Sequence, residues 1–500
     1  MELELKLALS LNETHLLEKK LARCALIGRR RPQRQQLHNV YYDTPDHTLK
    51  RLGVVLRVRQ IDNLGKLRWV QTLKIGGASD SALSRRGEWE APVKVNALDS
   101  AMLVETPWRE LDPDGSLMRA LAPVFTTDFE RLSWVVKLQD ASMEIALDRG
   151  SVLMDGHSTP LGELEIELLE GAPEAVFDVA FQIGLHLSLL PLHMSKAERA
   201  YRLSAGTLDA PLRAKPSALT HSMDFSAVVQ SVLRDAFLQF TANLYTLRTS
   251  DAPEVLHQAR VGWRRFKSAL NLFKQQASES SFPSMVQLKP LLAHMTNMRD
   301  LDVAASEVFP TYADAYQMGD PQHVQTWHAM EEALDHERLQ VRAALRQTLD
   351  EPSVGRTLLQ ITRWIETGTV HRPKQQNKNK KQTVSDWVRR RIEHLVEQVQ
   401  SIPAHSKDPA SQHDLRILHK RLRYSVESLR PLLPPKRAER WHQMSVSTQT
   451  RIGMERDRLQ AIAIARKLHA PDGVVQFLRG AAFAAHMDAK ANQVGTEEFS

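Results

Sequence analysis

Acidic and basic side chains recur at every second position in several short stretches of the N-terminal part of the chain. Glu2, Glu4 and Lys6 open it, with Leu3, Leu5 and Leu7 between them. Arg57 and Arg59 repeat the spacing, as do Glu88 and Glu90, while Glu163, Glu165 and Glu167 alternate with Leu164, Ile166 and Leu168. A period of two puts each set on one face of a β-strand. A single strand of this kind fits the wetted face of an ordinary antiparallel sheet. Four of them, some purely acidic and some purely basic, point to chemistry. Carboxylates in a row repel one another, and their pKa values rise unless cations compensate. Hard divalent ions with oxygen ligands supply that compensation. Mg2+ in particular combines one or two carboxylates with waters and substrate phosphates. Arginine and lysine on neighbouring strands would hold phosphate oxygens, arginine as a two-pronged fork. A sheet closed into a barrel gathers both sets around one cavity, where an ion pair at about 4 Å gains roughly 4 kcal/mol at an effective dielectric near 20. The pattern describes a polyanion trap built from side chains. The sequence carries no P-loop or glycine-rich phosphate motif that would do the same with backbone.

The elements that position these residues divide the chain in two. Before residue 205 the pattern is mainly strands, at Val54–Arg59, Arg68–Ile75, Glu88–Val95, Leu132–Leu138, Met143–Asp148 and Leu161–Leu169, with short helices near Thr14–Ala25 and Pro173–Leu187. Residues 206–222, with Gly206, Pro211 and Pro216, read as a linker. Beyond it the period changes to that of helices. Leu256, Ala259, Trp263, Phe266, Leu270 and Phe273 form an apolar stripe, so Trp263 and Phe266 are expected in the core. Further helices are expected at Pro283–Arg299, His323–Leu349, Val384–Gln400, His413–Leu429, Gln449–Leu468 and Gly473–Asp488. The basic, weakly hydrophobic segment Arg372–Gln382 reads as a solvated loop and residues 491–500 as a frayed tail. An internal repeat joins the helices. His257-x-x-Arg260-Val-x-x-Arg264-Arg265-x-Lys267 matches His413-x-x-Arg416-Ile-x-x-Lys420-Arg421-x-Arg423, and Arg299-Asp300 matches Arg456-Asp457 at nearly the same distance downstream. The domains are therefore 1–205, then a duplicated helical unit over 223–490, its copies at about 223–370 and 383–490.

Composition narrows the function classes. Five hundred residues exceed one hydrophobic core, and 42% hydrophobic with 25% charged residues is ordinary for a folded soluble protein. Cys24 is the only cysteine, which excludes an intramolecular disulfide and any cysteine-built zinc or iron–sulfur centre. Neither a secretory leader nor an uninterrupted apolar run of membrane-spanning length is evident, so a cytoplasmic protein with no membrane partner is expected. The net charge of +7 is uneven, −3 over residues 1–210 and +10 over 211–500, so the helical half is expected to face something anionic.

The ordered series of charged motifs resembles the CYTH family of triphosphate tunnel metalloenzymes. It comprises Glu2-x-Glu4-x-Lys6, Tyr42-Asp43-Thr44-Pro45, Leu56-Arg57-Val58-Arg59, Thr72-Leu73-Lys74, Arg86-x-Glu88-x-Glu90, Arg131, Asp148-x-Gly150, Glu163-x-Glu165-x-Glu167 and Ser195-Lys196. The duplicated basic helices resemble the CHAD domain, and the pair in this order is similar to bacterial inorganic triphosphatases. The resemblance implies an α+β N-terminal domain with an eight-stranded antiparallel β tunnel, followed by an all-α helical-bundle domain with internal duplication. It implies dependence on Mg2+ or Mn2+ and hydrolysis of a triphosphate at its terminal phosphoryl group. Glu2, Glu4, Asp148, Glu165 and Glu167 would be metal ligands, and Lys6, Arg57, Arg59, Lys74, Arg131 and Lys196 would hold phosphates, with Glu4, Lys6 and Glu165 closest to the catalytic step. Three glutamates alternate at 163–167 where two suffice, which leaves the ligand pair open by one step. Glu88 and Glu90 stay open between a second metal and charge balance.

In the helical half, His257, Arg260, Arg264 and Lys267 share one face, and like charges at that spacing cost about 0.2–0.5 kcal/mol per pair. A solvated surface paired with Asp300, Asp302 and Asp457 would account for this. The resemblance instead implies polyphosphate binding by His257, Arg260, Arg264, Arg265 and Lys267 together with His413, Arg416, Lys420, Arg421 and Arg423. Nucleic acid is the weaker ligand, because no interleaved exposed aromatics or known binding motif accompany the bases. The alternatives are an organic triphosphate substrate, as for a thiamine triphosphatase or a class IV-type adenylate cyclase, and a non-catalytic polyphosphate scaffold. The oligomeric state is not legible.

Overall fold

The computed structural model describes the chain apart from residues 1, 11–15, 29, 64, 77–79, 275–281, 369–382, 403–408 and 498–500. At 409–410, 412–413, 451 and 488–497 it describes backbone only. The basic segment Arg372–Gln382 therefore lies outside the described residues.

Strand β1 (Glu2–Leu9) is buried on both faces, as its alternation requires. Leu3, Leu5 and Leu7 join an apolar cluster with Leu17, Leu21, Val176, Phe177 and Ile183, contributed by the helices Leu17–Leu21 and Ala175–Ile183. The charged row faces the opposite way. The remaining strands are β2 (Gln33–Asp43), β3 (Val54–Asn63), β4 (Lys66–Ile75), β5 (Leu83–Val93), β6 (Ala122–Leu138), β7 (Ala141–Met154), β8 (His157–Glu170) and β9 (Leu189–Pro191). Every pairing is antiparallel, in the order β5-β4-β3-β2-β6-β7-β8-β1-β9. The pairing of β5 with β1 closes the first eight into a barrel. Apolar side chains coat the barrel and charged ones fill it, the reverse of an ordinary small barrel.

Several strands begin earlier or run longer than alternation indicated. β6 starts ten residues before Leu132, and β2, of which only the Tyr42–Pro45 motif was conspicuous, pairs with it from Gln33 to Asp43. The Asp148-x-Gly150 motif has a packing cause. A Cβ at Gly150 would lie 2.1 Å from the Asp128 carbonyl oxygen on β6.

The helical half has one apolar core, and both repeats contribute to it. The helices Phe225–Leu247 and Pro253–Phe273 pack closely, and Trp263 and Phe266 are in the core as expected. Phe225–Leu247 escaped the periodicity reading because its second half, Gln239 to Leu244, is buried around the whole circumference, polar residues included, which leaves no stripe there. The helix Pro352–Thr367 was missed as well, and Pro435–Lys467 begins well before Gln449. The last helix, Asp472–Glu497, continues into the segment read as a frayed tail. Between the two halves, the main chain of Leu212 is pinned at both N–H and C=O by the buried Asn243 amide, at 3.0 and 2.9 Å.

Candidate active site

The inward rows of the barrel, with Lys196 entering from the helix Lys196–Ser204, enclose a cavity of about 350 Å3. Its wall carries eight bases (Lys6, Arg57, Arg59, Arg68, Lys74, Arg86, Arg131 and Lys196) and seven acids (Glu2, Glu4, Glu88, Glu90, Glu144, Glu165 and Glu167). Register explains the gathering: Glu4 lies opposite Glu167 and Lys6 opposite Glu165 on β8, while Glu144 of β7 lies opposite Glu167 from the other side.

The wall divides into two charge clusters. Around Lys196 and Arg131, the Lys196 ammonium contacts Asp148 at 2.8 Å, Glu165 at 2.9 Å and Glu163 closely, while Arg131 forks onto Asp148 through two 2.7 Å hydrogen bonds and reaches Glu165 at 2.6 Å. Burial pushes the Glu165 carboxyl up, but Lys196, Arg131 and Lys6 outweigh it and hold it well below the ordinary range. Burial also opposes ionisation of Asp148, and Arg131 and Lys196 again prevail. For Glu163 burial wins and the carboxyl is raised. The second cluster is acid-rich. Lys74 contacts Glu2 at 2.8 and 3.0 Å and Glu88 at 3.1 Å. Burial raises Glu2 even against Lys74, and burial with repulsion from Glu2 and Glu88 pushes Glu167 up to about 7. Arg57 and Arg59 form the cationic wall. Arg57 lies 3.9–4.0 Å from Glu90 and Glu88 and donates to the Tyr41 hydroxyl at 3.4 Å, and Arg59 donates to Asn39 Oδ1 at 2.9 Å.

These donors fit a hard divalent cation. Asp148, Glu163 and Glu165 offer oxygens within 4.8 Å of one another, but the Lys196 ammonium already sits on all three. The under-compensated carboxyls are those of Glu2 and Glu167, beside Glu4, Glu88 and Glu144, and their raised pKa values show the charge a cation would offset. The near balance of bases and acids also means that a bound polyanion needs counter-ions beyond the wall itself.

Of the residues singled out in the sequence, Glu2, Glu4, Lys6, Arg57, Arg59, Lys74, Arg131, Glu165, Glu167 and Lys196 line the one cavity. Asp148 and Glu163 continue the same inward rows past the cavity lining, buried at its end, and hold the bases. Arg86, present in the Arg86-x-Glu88-x-Glu90 strand without an assigned role, lines the cavity as well. Glu144 was beyond sequence reasoning, because it stands alone between Met143 and Ile145 and only its register brings it to the site.

In the helical half, bases from the two copies meet. Lys420 is pushed down to about 7 by burial and by Arg264, Arg416, Arg456 and Arg260, and burial with Arg264 brings Arg260 to about 10. Arg456 of the second copy lies 3.6 Å from Asp300 of the first. Burial and Arg299 lower His257. Arg265 turns away from this group; it is buried and donates to Gln239 Oε1 at 2.7 Å. Lys267 is exposed and Arg423 pairs with Glu427 at 2.8 Å, whereas the side chain of His413 lies outside the described residues.

Comparison with known proteins places both halves. Residues 1–201 match the CYTH domain and residues 231–466 the CHAD domain. The chain is 32% identical over 206 residues to the inorganic triphosphatase of Haemophilus influenzae, covering 41% of this chain and 55% of that protein, so it spans about half the length of the curated relative it matches. The CHAD domain structure from Ricinus communis aligns at 25% identity and TM-score 0.46, covering 55% of this chain and 91% of the other. A Hippeastrum protein described by a dominant triphosphatase activity aligns at 21% identity and TM-score 0.30, covering 42% and 97%. No described helix is long and apolar enough to cross a membrane. The chain thus carries a CYTH domain, closed around a charged tunnel, followed by a CHAD domain.

Proposed function

We propose that the tunnel hydrolyses inorganic triphosphate to pyrophosphate and phosphate with Mg2+ or Mn2+, in a cytoplasmic protein. The observation that carries this reading is the single cavity where eight bases and seven acids face one another. Arg57, Arg59, Arg131, Lys74, Lys6 and Lys196 would grip phosphate oxygens from several sides, Arg57 and Arg59 as forks and Arg131 through the nitrogen not engaged by Asp148. Glu4 orients the Lys6 ammonium at 3.0 Å, and Asp148 and Glu163 orient Arg131 and Lys196 from the end of the cavity. Glu2, Glu4 and Glu167 are the residues that would hold the cation, joined by Glu165 once substrate phosphates draw Lys196 and Arg131 off it. When bound there, a divalent cation would supply positive charge to offset the phosphate oxygens and would lower the pKa of an attacking water. Enclosure strengthens each of these interactions relative to water. Glu4→Gln and Glu165→Gln are expected to lower phosphate release from tripolyphosphate by at least about a hundredfold while circular dichroism stays native. Full activity in either variant, or in excess chelator, would sink the assignment.

One feature favours a second reading, an organic triphosphate. A neighbouring cavity of about 260 Å3 shares Tyr41, Val55, Arg86, Ser195 and Ala197 with the tunnel wall. Tyr41 stacks on Phe125 there at 4.3 Å, with Tyr201 at its edge. A panel of tripolyphosphate, ATP and thiamine triphosphate, analysed for phosphate and for cyclic AMP, separates the readings.

For the helical half, the convergence of Arg260, Arg264, Arg416, Lys420 and Arg456 supports a polyphosphate site shared by both copies. Binding of long-chain polyphosphate is expected to exceed that of RNA and DNA at matched salt and to weaken steeply as salt is added. A clear preference for RNA would replace this reading.

A further inference from the structure

Strand β1 changes partners in the middle of the site. From Glu2 to Leu5 it pairs with β5, and from Leu7 to Leu9 with β9. Lys6 sits at the switch. Its N–H donates to the Ala82 carbonyl at 3.0 Å, and its own carbonyl accepts from the Leu192 N–H at 3.0 Å. Leu192 is fully buried in the core of the helical half, as are Leu190, Met194 and Ala8, the next residue after Glu4 and Lys6 in the tunnel-facing row of β1. The helix Pro352–Thr367 backs this junction. Gly355 lets it approach so closely that a Cβ there would lie 2.4 Å from the Leu189 carbonyl oxygen.

The end of β1 is held by a polar node contributed by two helix C-termini. Arg248, which caps Phe225–Leu247, donates from Nη1 to the Leu9 carbonyl at 3.0 Å, and its Nη2 lies 3.0 Å from Asp350 Oδ1. Asp350 caps the helix Pro321–Leu349, and its other oxygen accepts from the Ser10 hydroxyl at 3.0 Å. The Arg248 side chain is only 11% exposed. A charge taken out of water in this way persists where its partners are fixed.

From this geometry we infer that Arg248 is a positioning residue for the tunnel. With Asp350 it sets where β1 ends, hence where Glu4 and Lys6 stand against Glu167 and Glu165, which makes the helical half part of the hydrolytic apparatus. The inference rests on the triphosphatase reading for its kinetic readout alone. Cation binding reads the same geometry without turnover.

The test uses the full chain with Arg248→Met, Arg248→Lys and, as a control, Arg363→Met. The control removes a half-exposed contact between the two halves, Arg363 to Asp178 at 2.7 Å, in which no β1 residue takes part. All are assayed well below their unfolding temperatures for tripolyphosphate kinetics and for Mn2+ affinity by electron paramagnetic resonance. Arg248→Met is expected to lower kcat about tenfold or more with KM changed less than threefold, and to weaken Mn2+ binding several-fold. Arg248→Lys should recover part of both, and Arg363→Met should match the parent. If Arg248→Met merely unfolds at a lower temperature while kcat and Mn2+ affinity stay at parental values, the inference is overturned. It is equally overturned if Arg363→Met produces the same losses. A parent that binds Mn2+ but leaves tripolyphosphate intact refutes the proposed substrate instead, and the Mn2+ comparison still decides the role of Arg248.

Discussion

Lys196→Met is the sharpest perturbation of the tunnel, because one ammonium serves three carboxylates. Asp148 and Glu165 keep Arg131 as a partner when Lys196 is lost, whereas Glu163, 1% exposed, keeps no ion-paired base among the described residues, only the more distant charges of Arg199 and Lys6. Removing one member of a buried ion pair costs about 3–5 kcal/mol, since the remaining charge stays buried and uncompensated. For a unit of roughly two hundred residues that is a fall of roughly 6–20 °C in the unfolding midpoint. The sign of the pH dependence follows. Glu163 is already raised by burial, and loss of Lys196 raises it further, so the folded state binds a proton that the unfolded state releases. The variant should therefore become more stable as pH falls from neutrality towards the ordinary carboxylate range, with a steeper slope than the parent. Differential scanning calorimetry of the full chain at fixed ionic strength, from pH 8 to pH 5, reads both quantities. Adding Glu163→Gln should return more than half of the lost stability and flatten the slope. An unchanged midpoint, or costs that simply add in the double variant, would refute the claim that Lys196 neutralises this buried glutamate.

Other perturbations probe separate links. Burial and the nearby Arg202 and Lys215 depress His193 to about 4, so below pH 6.5 the unfolded imidazole takes up a proton that the folded one refuses. Stability should fall by up to about 3 kcal/mol between pH 6.5 and 4, and His193→Asn should remove that component in acid-unfolding curves. Lys420, near 7, should become fully protonated when a polyanion binds. Polyphosphate affinity, measured by calorimetry at constant salt, should then rise on acidification by up to about tenfold per pH unit above 7, and Lys420→Met should abolish the dependence. Gly262→Ala would put a Cβ 2.6 Å from the Phe240 main-chain nitrogen, so the two helices must part. A loss of about 1–3 kcal/mol in denaturant unfolding is expected.

The sequence by itself determined the strand character of the N-terminal half, the charged rows and the duplication of the helical half. Each of these is a local periodicity, and periodicity reports which face of an element a side chain occupies. It could not report what lies opposite that face. Antiparallel register brought isolated Glu144 beside Glu167 and set Glu163 opposite Asp148 at the end of the cavity as anchors for Lys196 and Arg131. Arg265, one residue from Arg264 in the repeated motif, turned inward to Gln239, because adjacent helical positions point about a hundred degrees apart. Phe225–Leu247 left no clear periodic trace because its second half is covered on every side, and its terminal Arg248 met Leu9 and Asp350 through contacts distant in sequence. Charge type and spacing are written residue by residue, but the partner that decides whether a carboxylate binds a cation, anchors a base or takes up a proton is chosen only when the barrel closes.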